Sequence, residues 1–366
     1  MPPNKPKQPI KAFNNTLDMV DAYTWNIDAI YDWIGEVADD PAKFGAPEKG
    51  DDLEAKKAHL EKIKKQIIKL GVPAPRWKGG EEYQDAQLTP NQHIRRRLNT
   101  NNVPPPPEYT YIEPPIEKSP FEVNGSESQK KNGNGAAVLF PSMLFWNPCD
   151  LMGLFLSTIG LAPAAANKEQ FYVPLLAMFG LWCAKISPPV WKDGNSRNHG
   201  NYFPAVVQCT WGKAQGVPGA RDDFFLGASY SGISLAGPWS PTQYFWDRVV
   251  RYERFKLVPI QSLKFDDSPA RGNGSGTADV PGHRFGNCAE TYPFTNMMRD
   301  PSHNLQGIAI NSRYTSYPAP EKKIKDNIVD PCFNCQDWIL RCRGTVNNFA
   351  KAGTVKKLWV PPPAMF

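Results

Sequence analysis

Two short cysteine motifs constrain this chain more than any other feature: Asn287-Cys288-Ala289-Glu290, and Pro331-Cys332-Phe333-Asn334-Cys335, with 44 residues separating Cys288 from Cys332. Cys332 and Cys335 stand three apart, so on a helix they share a face and can grip one ion together. A proline just ahead of them suits a helix start. Three thiolates are enough protein ligands for a tetrahedral catalytic zinc, which keeps its fourth position for water, whereas a structural site closes that position with a fourth side chain. The positive end of a helix dipole favours thiolates gathered there and offsets the excess negative charge of three sulfurs around a divalent cation. Glu290, two residues from Cys288, does not share a helix face with it, and therefore points over the metal-bound water rather than binding the metal. A fold for this chain must bring both motifs to one point.

A C-x-E element followed by P-C-x-x-C resembles the signature of the cytidine deaminase-like superfamily, whose pattern is H-x-E or C-x-E and then P-C-x-x-C. The resemblance is local, from about Pro281 to Arg343. In a chain with seven cysteines, the pair should arise by accident on the order of once in a thousand sequences. The resemblance implies an α/β fold, a mixed sheet between helix layers, and zinc held by Cys288, Cys332 and Cys335. It implies that Glu290 takes a proton from the zinc water, that the hydroxide attacks the amidine carbon of a base, and that Glu290 returns protons to the ring nitrogen and departing ammonia. The activity implied is hydrolytic deamination of a nucleobase, cytosine to uracil plus ammonia.

Other readings of the same thiols stand beside this one. A closed structural zinc needs a fourth ligand; Cys342 lies roughly 10 Å along a helix from Cys335, too far for one tetrahedron, and His283, five residues before Cys288, is the other candidate. Such a site would make the chain a non-catalytic nucleic-acid-binding or interaction protein. Disulfides are disfavoured by the odd cysteine count and by the polar opening MPPNKPKQPIK, which offers no secretory apolar segment and reads as intracellular, cytoplasmic or nuclear. Cys149, Cys183 and Cys209 sit in apolar or aromatic surroundings and read as small buried hydrophobes.

The substrate is read from what surrounds the motifs. Free-nucleoside deaminases with three cysteines carry an N-x-E ribose-binding element before the zinc motif, and none precedes Cys288 at a suitable distance. From Asn311 to Phe366 nine basic residues stand against four acidic, +5 of the chain's +6. A basic rim with Lys322, Lys323 and Lys325 attracts phosphates, and Tyr292, Phe294, Phe333 or Trp338 offer faces on which an extruded base stacks, with His283 a further contact. The expected partner is therefore nucleic acid, as single-stranded or locally opened DNA or as RNA, with free cytidine, deoxycytidine or a nucleotide as the alternative. Ordinary solvated lysines and core aromatics are the competing explanation.

The rest of the chain divides by composition. Residues 1–78 read as a helical N-terminal module, with Leu17, Val20, Tyr23, Trp25, Ile27, Ile30, Tyr31 and Ile34 at helical spacing and a charged segment from Asp51 to Lys69. Residues 79–135 are polar and proline-rich, a linker or wrapping arm. Residues 136–366 form the deaminase-like domain. Apolar runs Leu151 to Ala166 and Phe171 to Ala184 fall short of the roughly 20 residues that span a bilayer and read as two packed core helices joined by a polar turn. Ala205 to Val207, Phe225 to Ala228, Phe255 to Ile260, Leu305 to Ile310 and Lys357 to Val360 read as strands. Strand, helix with the first ligand, strand, helix with the last two is the order the resemblance requires.

Overall fold

The computed structural model describes residues 8–46, 51–71, 143–145, 147–187, 204–213, 221–230, 244–258, 286–298, 305–312 and 324–350, together with the short segments 97–98, 111–113, 117–118 and 138–139. Its class is mixed α and β.

The N-terminal helices start where side chains supply caps. Asp18 accepts from the Val20 and Asp21 amides at the head of α1 (Met19–Thr24), and Asn26 accepts from the Ala29 amide at the head of α2 (Ile27–Asp39). α2 buries Ile30, Tyr31, Trp33, Ile34 and Val37 along one stripe. α3 (Asp51–Leu70) buries Leu60, Ile63 and Ile67 and carries an ion-paired polar side, with Glu61 2.6 Å from Lys64 and 3.7 Å from Lys65. The charged segment is thus a helix face.

In the proline-rich arm, β1 (Arg97–Leu98), β2 (Tyr111–Glu113) and β3 (Glu117–Lys118) are antiparallel pairing partners of later segments. β3 pairs with β4 (Val138–Leu139), β2 with β5 (Met143–Phe145), and β1 with β8 (Tyr244–Phe245).

The two apolar runs form α4 (Pro148–Ile159) and α5 (Val173–Ile186). α4 ends seven residues before the sequence suggests, because Gly160 adopts an extended backbone and Pro163 follows it. α5 is buried almost all round, as a helix in the middle of a core must be. Among the described residues no helix is long and apolar enough to cross a membrane.

The main sheet runs β10-β9-β6-β7, from β6 (Val206–Lys213), β7 (Asp222–Ala228), β9 (Gln306–Asn311) and β10 (Ile328–Val329). Every described pair is antiparallel. The parallel partner that a mixed sheet requires is not among the described residues, and the expected strand at Lys357 to Val360 lies outside them. Register divides the sheet into two faces. Cys209 stands opposite Leu226 and Ile308, Val207 opposite Ala228 and Ile310, and Trp211 opposite Phe224. This apolar face meets α4, α5 and the turn that precedes α1: Phe224 touches Phe13 and Phe171 ring to ring, and Trp211 stacks on Tyr172 at 3.9 Å. The opposite face carries Gln208, Thr210, Phe225, Gly227, Gly307 and Ala309, and the small residues at 227 and 307 admit a second layer at close range.

That second layer comprises α6 (Trp246–Lys256), α7 (Thr291–Met297) and α8 (Phe333–Arg341). The expected strand at Phe255 to Ile260 is corrected here: Phe255 and Lys256 close α6, the amides of Leu257 and Val258 turn back onto Arg254 and Phe255, and residues 259–260 lie outside the described ones. Buried Arg251 and Arg254 occupy inward positions of that helix, so no apolar stripe announces it.

Residues 1–78 are helical in their described part, yet they share a core with the sheet. Trp182 Nε1 on α5 donates to Ala22 O at 2.9 Å, and one continuous apolar cluster runs from Ala12 through α5 to Ile310 and Ile328. A smaller cluster, Cys288, Phe294, Met298, Cys335, Trp338, Ile339, Cys342 and Phe349, lies across the sheet.

Candidate metal centre

The two motifs converge in that smaller cluster. Cys332 is the N-cap of α8 in extended backbone, Cys335 lies in the first turn, and Pro331 precedes both. Cys288 belongs to the turn leading into α7, whose N-cap is Glu290. Cys288 Sγ is 3.6 Å from Cys332 Sγ, and Cys332 Sγ is 3.5 Å from Cys335 Sγ. All three sulfurs lie within 4.8 Å of one another, and none of the seven cysteines is in a disulfide. Metal–sulfur bonds of about 2.3 Å in a tetrahedron put sulfurs about 3.8 Å apart. The three thiols therefore stand near three corners of such a site and can hold a metal ion.

Among the described residues no fourth cysteine, histidine or carboxylate joins them. Cys342, at the far end of α8, is buried in the same small cluster but outside the ligand group, as its distance along the helix requires. His283 lies outside the described residues. Without a cation two of the thiols hold their protons: hydrogen bonding to Cys332 raises the Cys288 thiol well above its ordinary range, and hydrogen bonding to Cys288 and Cys332 does the same for Cys335, with burial adding in both. A divalent cation replaces those protons, so loading releases them.

Glu290 borders this group without belonging to it. The residue is 7% exposed, and its carboxyl lies close enough to the Cys332 and Cys335 sulfurs to feel both. Burial, followed by the Cys332 charge, pushes Glu290 up to about 7. A carboxyl so placed holds or releases a proton near neutrality.

Close packing fixes the turn that carries Cys288. Gly286 has φ +88, and a Cβ there would strike Arg251 O of α6, so only glycine fits on both counts. A Cβ on Gly227 of β7 would collide with Ala289 O and the Pro293 ring, which explains how the Cys-Ala-Glu turn lies directly on the sheet. The Tyr230 amide donates to Asn287 O at 2.8 Å, and Thr291 Oγ1 donates to Cys288 O at 2.8 Å.

Sequence reasoning missed the largest polar element here, a buried ion pair between Arg254 Nη1 and Asp150 Oδ2 at 2.5 Å, both side chains fully buried. Arg254 also donates through Nε to Gly286 O at 2.6 Å and through Nη2 to Ala228 O and Cys288 O at 2.9 Å each. Burial opposes the guanidinium charge, and the Asp150 carboxylate, with Tyr292 and Cys288 beside it, still leaves Arg254 above its ordinary range. The one sequence signal was Asp150 itself, an acid at the start of an otherwise apolar run.

The expected substrate contacts fare differently. Tyr292 is a core residue: one face stacks on Phe145 at 4.2 Å, the Arg254 guanidinium covers its ring at 4.8 Å, and its hydroxyl donates to Leu144 O at 2.5 Å. No face of it is left for a base. Phe294 is likewise packed edge-on against Trp338 and Phe349, both at 5.4 Å. Lys322 and Lys323 lie outside the described residues, as do the side chains of Lys325 and Phe333. Cys149, Cys183 and Cys209 are buried, in keeping with their apolar surroundings.

Comparison with protein-family models, with curated proteins and with solved structures finds no match for this chain.

Proposed function

We propose that the chain is a zinc-dependent hydrolytic deaminase of the cytidine deaminase-like kind, acting on cytosine in a nucleic acid. The observation that carries the reading is the group Cys288, Cys332 and Cys335 at tetrahedral spacing, with the Glu290 carboxyl beside it and no fourth ligand among the described residues. Two further features support it. Sulfur ligands in this number suit zinc. Along the chain, β6 and β7, the Cys288 turn with α7, β9, and then Cys332, Cys335 and α8 follow in the order that the resemblance requires.

A bound zinc would supply an acidic water at its fourth position. The chain's own residues do the remainder. With that water in place, the Glu290 carboxylate would take one of its protons and deliver it to the ring nitrogen as the water oxygen bonds to C4, then would carry the second proton from that oxygen to the amino group as the C4–N bond breaks, so that cytosine and water yield uracil and ammonia and the carboxylate ends as it began. Its burial keeps bulk water from competing for those protons. Cys332, the partly exposed ligand, marks the open side of the group.

The excess of basic residues after Asn311 is the reason for preferring a strand to a free nucleoside. The test is ammonia release from cytosine-bearing oligonucleotides and from free cytidine, with affinity for the strand measured at two salt concentrations. Replacing Lys322, Lys323 and Lys325 together by Gln is expected to weaken strand binding and to lower the salt slope by about one unit per lost phosphate contact, while activity on free cytidine barely changes. An unchanged slope, with cytidine the better substrate, would select the nucleoside reading instead.

A further inference from the structure

We infer that Arg254, held by Asp150, is the positioning residue of the metal group: it sets where Cys288 stands relative to Cys332 and Cys335, and thereby the affinity for the ion. This rests on the proposed reading that the three thiols hold zinc. The geometry is unusually directional. One planar guanidinium reaches carbonyls on three residues from two segments, Ala228 at the end of β7 and Gly286 and Cys288 on either side of Asn287, while its remaining edge is clamped by Asp150. Asp150 is itself fixed from below, because Asn147 Nδ2 donates to the same carboxylate oxygen at 2.7 Å and the residue lies in the first turn of α4. The fork thus ties the Cys288 turn through Asp150 to α4, across 104 residues of sequence.

A stabilising role alone does not account for this arrangement. Buried ion pairs contribute little net stability compared with apolar side chains of the same volume, because both charges lose their water. What such a pair supplies is direction: five N–H groups in a fixed plane, which a lysine ammonium cannot reproduce. Here the fixed direction falls on the backbone of a ligand. Cys332 and Cys335 take their positions from one helix, whereas Cys288 stands on a short turn that packs on Gly227, takes local bonds from Tyr230 and Thr291, and is tied to a distant element by Arg254, which bonds the carbonyls at Gly286 and Cys288 itself. Groups that orient metal ligands in this way typically change metal affinity by about 10–100-fold when removed.

The experiment compares zinc affinity of the full chain, by competition with a chromophoric chelator, for wild type, Arg254→Lys, Asp150→Asn and Trp182→Phe, the last a control in the main core. Each is also loaded with cobalt(II), whose ligand-field and thiolate charge-transfer bands report the geometry of the sulfurs. Arg254→Lys and Asp150→Asn are expected to lower zinc affinity about 10–100-fold and to shift the cobalt bands, while Trp182→Phe lowers thermal stability and leaves both unchanged. Should Arg254→Lys fail to fold, Asp150→Asn carries the test, since it keeps the volume and one acceptor. Wild-type affinity and cobalt spectrum in the folded variants would overturn the inference, as would an equal loss of affinity in Trp182→Phe. Failure of the wild type to bind either metal would instead remove the metal reading on which it stands.

Discussion

Replacing Glu290 by alanine is expected to lower turnover by about 10²–10⁴-fold while zinc content stays at one per chain. The separation of the two effects follows from position. Glu290 lies outside the group of three sulfurs, at the N-cap position of α7 beside them. On the proposed reading it handles protons and supplies no bond to the ion. Burial, followed by the Cys332 charge, pushes it up to about 7, as suits a carboxyl that on this reading moves protons near neutrality. Glu290→Gln keeps the volume and removes the titrating oxygen, so it is expected to behave like alanine in turnover. Metal analysis and ammonia release on the same preparations check both halves. A variant that loses zinc as completely as Cys332→Ala does would make Glu290 a ligand and remove its assigned role.

Removing the metal, by chelation or by Cys332→Ala, is expected to abolish activity and to loosen one part of the molecule only. The three thiols sit in the small cluster with Phe294, Trp338, Ile339 and Phe349, across the sheet from the large core that joins α1, α2, α3, α4 and α5. Zinc binding adds folding free energy where its ligands are, and three neighbouring sulfurs without an ion between them lose their common bond. Hydrogen exchange should accelerate at least about tenfold in residues 286–298 and 333–349, and stay near the holo-protein rate in α4 and α5. The N-terminal helices belong to the protected part because Trp182 and Phe224 hold them to it. Uniform loosening from α1 onward would contradict the division into two clusters.

The parts legible in the sequence are those in which chemistry or periodicity acts locally. Cys288, Glu290, Cys332 and Cys335 declare themselves by spacing, and the stripe Ile30, Ile34, Val37 declares α2. Apolar residues on one sheet face mark β6, β7 and β9, though β6 runs to Lys213 past the three residues first recognised, because Gln208, Thr210 and Gly212 on its other face interrupt the apolar run. What sequence did not disclose depends on contacts between distant segments. Arg254 has the look of a surface residue, and only the fold places it against Asp150. Tyr292 reads equally well as a stacking platform or as core, and the choice is made by Phe145 and Arg254 covering its two faces. The glycines at 227 and 286 acquire meaning only when the Cys-Ala-Glu turn is seen lying against β7 and α6.

The central claim is an open three-sulfur zinc site, and X-ray absorption at the zinc edge of the loaded full chain tests it most directly. The expected result is three sulfurs at about 2.3 Å and one light, non-imidazole atom at about 2.0 Å, the latter displaced by a competing small anion. Four sulfurs, or three sulfurs with an imidazole nitrogen that no anion displaces, would make the site a closed structural one and contradict the account.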